Sequence, residues 1–336
     1  MFVSPSVEPR ARAHFNRTFG WRAEWTHWLG LDVPTSGSMR LESPVAWANK
    51  GWQRTLVTAL LSHRRPPVLV VSMPRSGSSW VGDVLGNSPQ AMYLREPLTQ
   101  SFLDAQGRAG LSFRWFDESN IPDSYQTAVR SIDSAVPAFN SKIVRDIDQW
   151  RLPTRRSRRV VIKEVNPFAL PWLIKELGPT VVYLLRHPAA VAASFEKLGW
   201  GAALEHRLPK HLVPPVGGSG WVDSVNLQAI ALQTCLAALA DHSDHQVVLY
   251  EDLCVDPVEE FRDLYQFVEL TWTPASEMHV TRRSSAGEIN DAPYTVSQPS
   301  GMMPYAWRDL VPVDEIGPMK AAWLSHGFPY YEGEAW

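Results

Sequence analysis

"VLVVSMPRSGSSWVGDVLG", residues Val68–Gly86, is the stretch on which the reading of this chain turns. Val68–Ser72 is a short, unbroken apolar run closed by a turn signal, the pattern of a strand buried on both faces. A turn of small residues follows, and Ser78–Leu85 reads as a helix. In such a strand–turn–helix unit the backbone N–H groups of the turn converge, and the helix start adds partial positive charge, so the unit binds an anion. Gly77 lets the backbone come close to that anion. Ser76, Ser78 and Ser79 add hydroxyl donors, and Arg75 adds a fixed positive charge. A plain helix start would need only Ser78 as its cap; the full Arg-Ser-Gly-Ser-Ser run asks for more. The kinase-type motif G-x-x-x-x-G-K-[ST] is absent, and with it the lysine and hydroxyl that manage a triphosphate and its metal. The loop therefore suits an anion of lower charge density.

Short apolar strands and helices alternate beyond this loop. Ala91–Leu94, Val160–Val165, Thr180–Leu185 and Gln246–Tyr250 read as strands. Phe168–Leu177, Pro188–Lys197, Trp221–Ala240, Pro257–Val268 and Val313–Leu324 read as helices. Stretches 99–158, 199–220 and 280–306 are irregular. The alternation predicts an α/β fold, a three-layer P-loop-type arrangement with a central, mostly parallel sheet flanked by helices. Ligands in such sheets sit beyond the C-terminal ends of the strands. Residues 1–66 read as a mostly helical extension, with a helix over Ala46–Leu61, and 67–336 as the α/β domain.

The 336 residues, 45 % apolar and 20 % charged, are enough for a large core, and a net charge of −3 argues against general nucleic-acid binding. Cys235 and Cys254 make neither a disulfide framework nor a metal-ligand spacing. No signal peptide and no membrane-spanning run is read from the sequence, so the expectation is a soluble, cytoplasmic protein. "DHSDH" (Asp241–His245) offers no open metal site, and none is predicted. The four arginines of "TRRSRR" (Thr154–Arg159) read as a solvated run.

"PRSGSSWVGDVLGNSPQAMYLREP" (Pro74–Pro97) resembles the 5′-phosphosulfate loop of the sulfotransferases that use 3′-phosphoadenosine-5′-phosphosulfate (PAPS), and the Arg-Ser-Gly-Ser-Ser form with a later Glu-Pro resembles the carbohydrate-type branch. The resemblance implies that Arg75, Ser76, Gly77, Ser78, Ser79 and Trp80 bind the cofactor. "VVYLLRHPAAVAASF" (Val181–Phe195) resembles the 3′-phosphate site of that family. Its Arg186 closes a strand, and Ser194 lies about two turns into the next helix; arginine grips phosphate with two parallel hydrogen bonds. "VVLYEDLCVDP" (Val247–Pro257) resembles a common, mainly architectural segment. "SGMMPYAWRDLV" (Ser300–Val311) resembles the late loop that closes over the nucleotide, which implies Trp307 against the adenine and Arg308 toward the 3′-phosphate.

What the resemblance implies is transfer of a sulfuryl group from PAPS, leaving adenosine 3′,5′-bisphosphate (PAP), to a hydroxyl of a glycan or a small-molecule alcohol. The acceptor needs a base. The carbohydrate-type resemblance points to Glu96 as that base, with Glu164 second. The arylalkyl branch carries a catalytic histidine where this chain has Val165, which removes that mechanism. Lys163 is the candidate contact to the transferring group or the leaving oxygen, and Arg75 to the leaving phosphate. A P-loop kinase acting on a small metabolite with ATP and Mg²⁺ is the competing reading, and it lacks its loop lysine. A non-catalytic nucleotide-binding protein on the same scaffold is the third.

Overall fold

The computed structural model describes residues 65–107, 114–115, 118–133, 139, 142–150, 157–201, 208–213, 218–285 and 304–336. The helical extension expected over 1–66, including Ala46–Leu61, lies outside the described residues save for its last two positions.

Five strands form one parallel sheet: β1 (Val68–Ser72), β2 (Ala91–Arg95), β3 (Arg159–Glu164), β4 (Thr180–Leu185) and β5 (His245–Leu249), in the order β2-β3-β1-β4-β5. β1 and β4 are buried along their whole length, as continuous apolar runs predict for a sheet covered on both faces. Successive side chains point to opposite faces. Leu69, Val71, Met92, Leu94, Ile162 and Tyr183 belong to one core; Val68, Val70, Ala91, Val161, Val182 and Leu184 belong to the other.

Helices connect the strands: α1 (Ser78–Gly86), α2 (Pro97–Ala105), α3 (Asp123–Asp133), α4 (Leu170–Leu177), α5 (Pro188–Lys197), α6 (Gly220–Leu239), α7 (Tyr250–Val255), α8 (Pro257–Phe267), α9 (Pro274–Ser284) and α10 (Val313–Leu324). Several ends are set by residues suited to them. Proline occupies the first turn of α5, where its missing N–H costs nothing, and Gly178 closes α4 in the left-handed conformation at φ 50°. Thr273 and Asp256 cap α9 and α8 by accepting from Ser276 N and Glu259 N.

α6 bears on one expectation without deciding it. It is 20 residues long and an 18-residue window of it reaches a mean hydropathy of 1.2, enough by length and composition to cross a bilayer, although no such run was read from the sequence. In this fold it packs against α4, α5 and α10, and Leu227, Ala229, Ala231 and Leu232 are wholly buried.

β1 lies between β3 and β4. The loop after β1 therefore stands between the end of β3, which carries Lys163 and Glu164, and the end of β4, which leads into Arg186. The register pairs Val70 and Val71 of β1 with Lys163 and Glu164, and Arg95 of β2 with Lys163.

Candidate active site

The loop after β1 turns through two left-handed residues, Arg75 at φ 69° and Gly77 at φ 92°. Gly77 caps α1 with no side-chain hydrogen bond. The first N–H groups of the helix thus have no acceptor within it, the condition for an anion seat. A Cβ on Gly77 would lie 2.5 Å from the ring of Tyr250, so glycine is required both for its φ and for the aromatic packed against it. Ser76 and Ser78 are buried in the loop, and Ser79 is half-buried.

The second predicted anion site is joined to the first. Arg186 Nη1 donates to the carbonyl of Arg75 at 3.0 Å, and Arg75 Nε donates to Ser194 Oγ at 2.8 Å. The Arg186 guanidinium lies over the Tyr250 ring, with Cζ 4.5 Å from its centroid. Tyr250 thus touches both the Gly77 turn and Arg186. The buried Nε of Arg186 has no hydrogen-bond partner among the described residues. A buried charged donor without a partner is costly, and it fits a phosphate placed there.

The carboxylates divide into two environments. Glu96 sits at the end of β2 in the left-handed region, φ 51°, and starts α2. Its backbone N–H donates to Lys163 O at 2.6 Å. Its side chain forms an ion pair with the buried Lys163 ammonium, accepts from Gln100 Nε2 at 3.1 Å, and lies 3.9 Å from Arg95 Nε. Burial opposes its ionisation, but Lys163 prevails and holds the Glu96 carboxyl below its usual range.

Glu164 points into the protein. Its Oε1 accepts from Leu98 N at 2.6 Å and Thr99 N at 3.3 Å; its Oε2 accepts from Thr99 Oγ1 at 2.8 Å and Val165 N at 3.2 Å. It caps the start of α2 from a neighbouring strand. Burial, reinforced by the charge of Glu96, pushes its carboxyl up to about 7. Four donors on a wholly buried carboxylate describe a structural group, which moves Glu164 away from the acceptor-facing role expected of it.

Two aromatic expectations also take a different form. The Trp80 indole packs edge-on against Phe261 at 5.0 Å and Tyr250 at 6.1 Å within the core, so it supports the loop rather than lining it. Trp307 is 2 % exposed and stacks on His187, ring centroids 4.5 Å apart and planes 7° from parallel. That face is taken by a side chain where an adenine was expected. Arg308 is exposed beside these rings, its Cζ 5.6 Å from the Trp307 centroid.

The sequence reading missed His187, Glu251 and Tyr331. His187 caps α5, its Nδ1 accepting from Ala189 N at 3.3 Å. Burial, helped by Arg308 and Arg186, pushes its imidazole down to about 3, so it stays neutral. Glu251 Oε1 accepts from His187 N at 3.1 Å, and Tyr331 Oη lies 2.5 Å from Glu251 Oε2. The histidines of "DHSDH" serve the backbone: His242 Nε2 meets Pro179 O at 2.7 Å, and His245 Nδ1 meets His242 O at 2.5 Å.

A family model described as "Sulfotransferase family" matches residues 66–274. Carbohydrate sulfotransferase 5 of Mus musculus is 27 % identical over 309 residues, covering 75 % of this chain and 77 % of its own length. Carbohydrate sulfotransferase 6 of Homo sapiens gives the same 27 % identity, with 75 % and 77 % covered. Among solved structures, the sulfotransferase domain from the curacin biosynthetic pathway aligns with a TM-score of 0.46 at 18 % identity, covering 79 % of this chain and 98 % of that one. Mouse sulfotransferase SULT7A1 complexed with PAP aligns with a TM-score of 0.41 at 13 % identity, covering 88 % and 93 %. The match to carbohydrate sulfotransferases conflicts with the cytoplasmic expectation.

Proposed function

The chain belongs to the sulfotransferase family, and from that premise we propose that it transfers a sulfuryl group from PAPS to a hydroxyl of a carbohydrate, with Glu96 as the base. The observation that carries this reading is the pair of hydrogen bonds linking the Gly77 loop to Arg186 and Ser194. A nucleotide with phosphate at both its 5′ and 3′ positions needs two anion seats on one crevice, and these contacts support a reading in which the two lie side by side. The glycan acceptor is supported by the relatives, which are carbohydrate sulfotransferases by name.

PAPS supplies an activated sulfuryl group; the remaining tasks belong to the chain. The loop N–H groups, Ser78 and Arg75 face the 5′-phosphate and stabilise the negative charge that builds there as the sulfuryl group leaves. Arg186 and Ser194 hold the 3′-phosphate and fix the nucleotide along the crevice. Glu96 takes the acceptor proton as the hydroxyl oxygen attacks sulfur. Lys163 keeps Glu96 ionised, and its place between β1 and β2 suits it to donate to the transferring group. Glu164 holds the start of α2, and with it the backbone of Glu96.

The test is transfer of labelled sulfuryl from PAPS to a panel of neutral and acidic oligosaccharides and small alcohols. Labelled oligosaccharide is the expected product. Phosphorylated product from ATP and Mg²⁺, with no sulfation of any acceptor, would reject this function in favour of a kinase.

A further inference from the structure

Arg186 is flanked by two backbone groups that the C-terminal segment reaches. Tyr331 Oη lies 2.5 Å from Glu251 Oε2 and 3.3 Å from the carbonyl of Leu185, the residue before Arg186. The other oxygen of the same carboxylate accepts the N–H of His187, the residue after Arg186, at 3.1 Å. One phenol and one carboxylate therefore hold the backbone on both sides of the arginine. Tyr331 does this from a left-handed backbone, φ 54°. Arg75, Glu96 and Glu269 are the other non-glycine residues with positive φ among those described, and the first two belong to the active site. Such strain persists only where surrounding contacts over-determine it.

Those contacts are present. Trp336 Nε1 donates to Tyr331 O at 2.8 Å, and the Trp336 and Tyr331 rings meet the His187 ring edge-on at 4.6 Å and 5.0 Å. Burial favours the protonated phenol of Tyr331 and raises the Glu251 carboxyl.

We propose that Tyr331, acting through Glu251, is the positioning residue for Arg186 and thereby sets how strongly the site prefers a 3′-phosphorylated nucleotide. The inference rests on the assignment of Arg186 to the 3′-phosphate made above. Its physical basis is preorganisation: a guanidinium on a fixed backbone loses less freedom when it grips a phosphate. The 5′-phosphate seat is built by the Gly77 loop, which Tyr331 reaches only indirectly, through the hydrogen bond from Arg186 to the Arg75 carbonyl, so it depends on Tyr331 far less.

Calorimetry with PAP and with 5′-AMP separates the two seats. Wild-type protein binds PAP more tightly than 5′-AMP. Tyr331→Phe keeps the ring and removes the hydroxyl; Glu251→Gln keeps the size and removes the charge. In both, PAP affinity falls about tenfold, the scale of one hydrogen bond to a charged group, while 5′-AMP affinity stays within about twofold. An unchanged ratio of the two affinities in both variants overturns the inference. So does an equal loss for both nucleotides, the mark of a merely structural role. Equal binding of PAP and 5′-AMP by the wild type removes the 3′-phosphate assignment itself, and the inference with it.

Discussion

Arg75 Nε donates to Ser194 Oγ at 2.8 Å, a contact between the loop after β1 and the second half of α5. The two anion seats are thus parts of one hydrogen-bonded unit. Ser194→Ala removes the link and a candidate phosphate donor together. PAP affinity is expected to fall about tenfold, the value of a hydrogen bond to a charged partner, with little change in thermal stability. Calorimetry beside a melting curve checks this.

Glu96→Gln keeps the shape of the group that pairs with Lys163 and Gln100 but cannot accept the acceptor proton. Turnover should drop by about 10²–10⁴, the range for removing a general base, while PAP binding is retained. Near-normal turnover in this variant removes Glu96 from the chemistry.

The pH profile follows from Lys163. With its carboxyl held below 4.5 by the buried ammonium, Glu96 is ionised throughout the neutral range, and the acid limb of kcat/KM lies below that value. The sign for stability agrees: a depressed carboxyl pKa stabilises the fold above the unfolded value, and that contribution is lost as pH falls through the folded one. Lys163→Met leaves burial and no ammonium, so the acid limb moves up toward neutrality. An acid limb that stays in place would show that Lys163 does not set the ionisation of Glu96.

Glu164→Gln tests the division between the carboxylates. An amide cannot accept from all of Leu98 N, Thr99 N, Thr99 Oγ1 and Val165 N, which now share the carboxylate. Stability should fall by about 1–3 kcal/mol for a buried donor left without its acceptor. Turnover at a temperature where the variant is folded should stay within about tenfold of wild type, far from the loss expected of a missing base.

Gly77→Ala places a methyl 2.5 Å from the Tyr250 ring and forces alanine to φ 92°. Tyr250 carries Arg186 on its other contact, so the disturbance reaches both seats. PAP affinity should fall at least tenfold, and the left-handed backbone alone costs about 1–2 kcal/mol.

Much of this was legible in the sequence, for local reasons. β1, β4 and α5 fall where continuous β-branched runs and Pro188 put them. Arg75 and Gly77 were singled out because a strand followed by a small-residue turn fixes where donors point, and Arg186 because its segment resembles the family's 3′-phosphate site. Other features lacked such signals. Tyr250 reads as the last strand residue, yet it opens α7, because "YEDL" carries neither a proline nor a capping side chain to mark the break. α9 begins at Pro274 and ends within a stretch that looked like loop. The four donors on Glu164 come from α2 and from its own strand end, a convergence no spacing in the chain announces. The stack of Trp307 on His187 joins residues 120 positions apart, and the Tyr331–Glu251 contact joins residues 80 apart, so neither leaves a periodic trace.

The most direct measurement is a crystal structure of the protein soaked with PAP. The 5′-phosphate is expected on the N–H groups at the start of α1 beside Gly77, with the 3′-phosphate within hydrogen-bonding distance of Arg186 and Ser194. A nucleotide that leaves either seat empty, or that lies at the N-terminal ends of the strands, would contradict the shared crevice on which the mechanism rests.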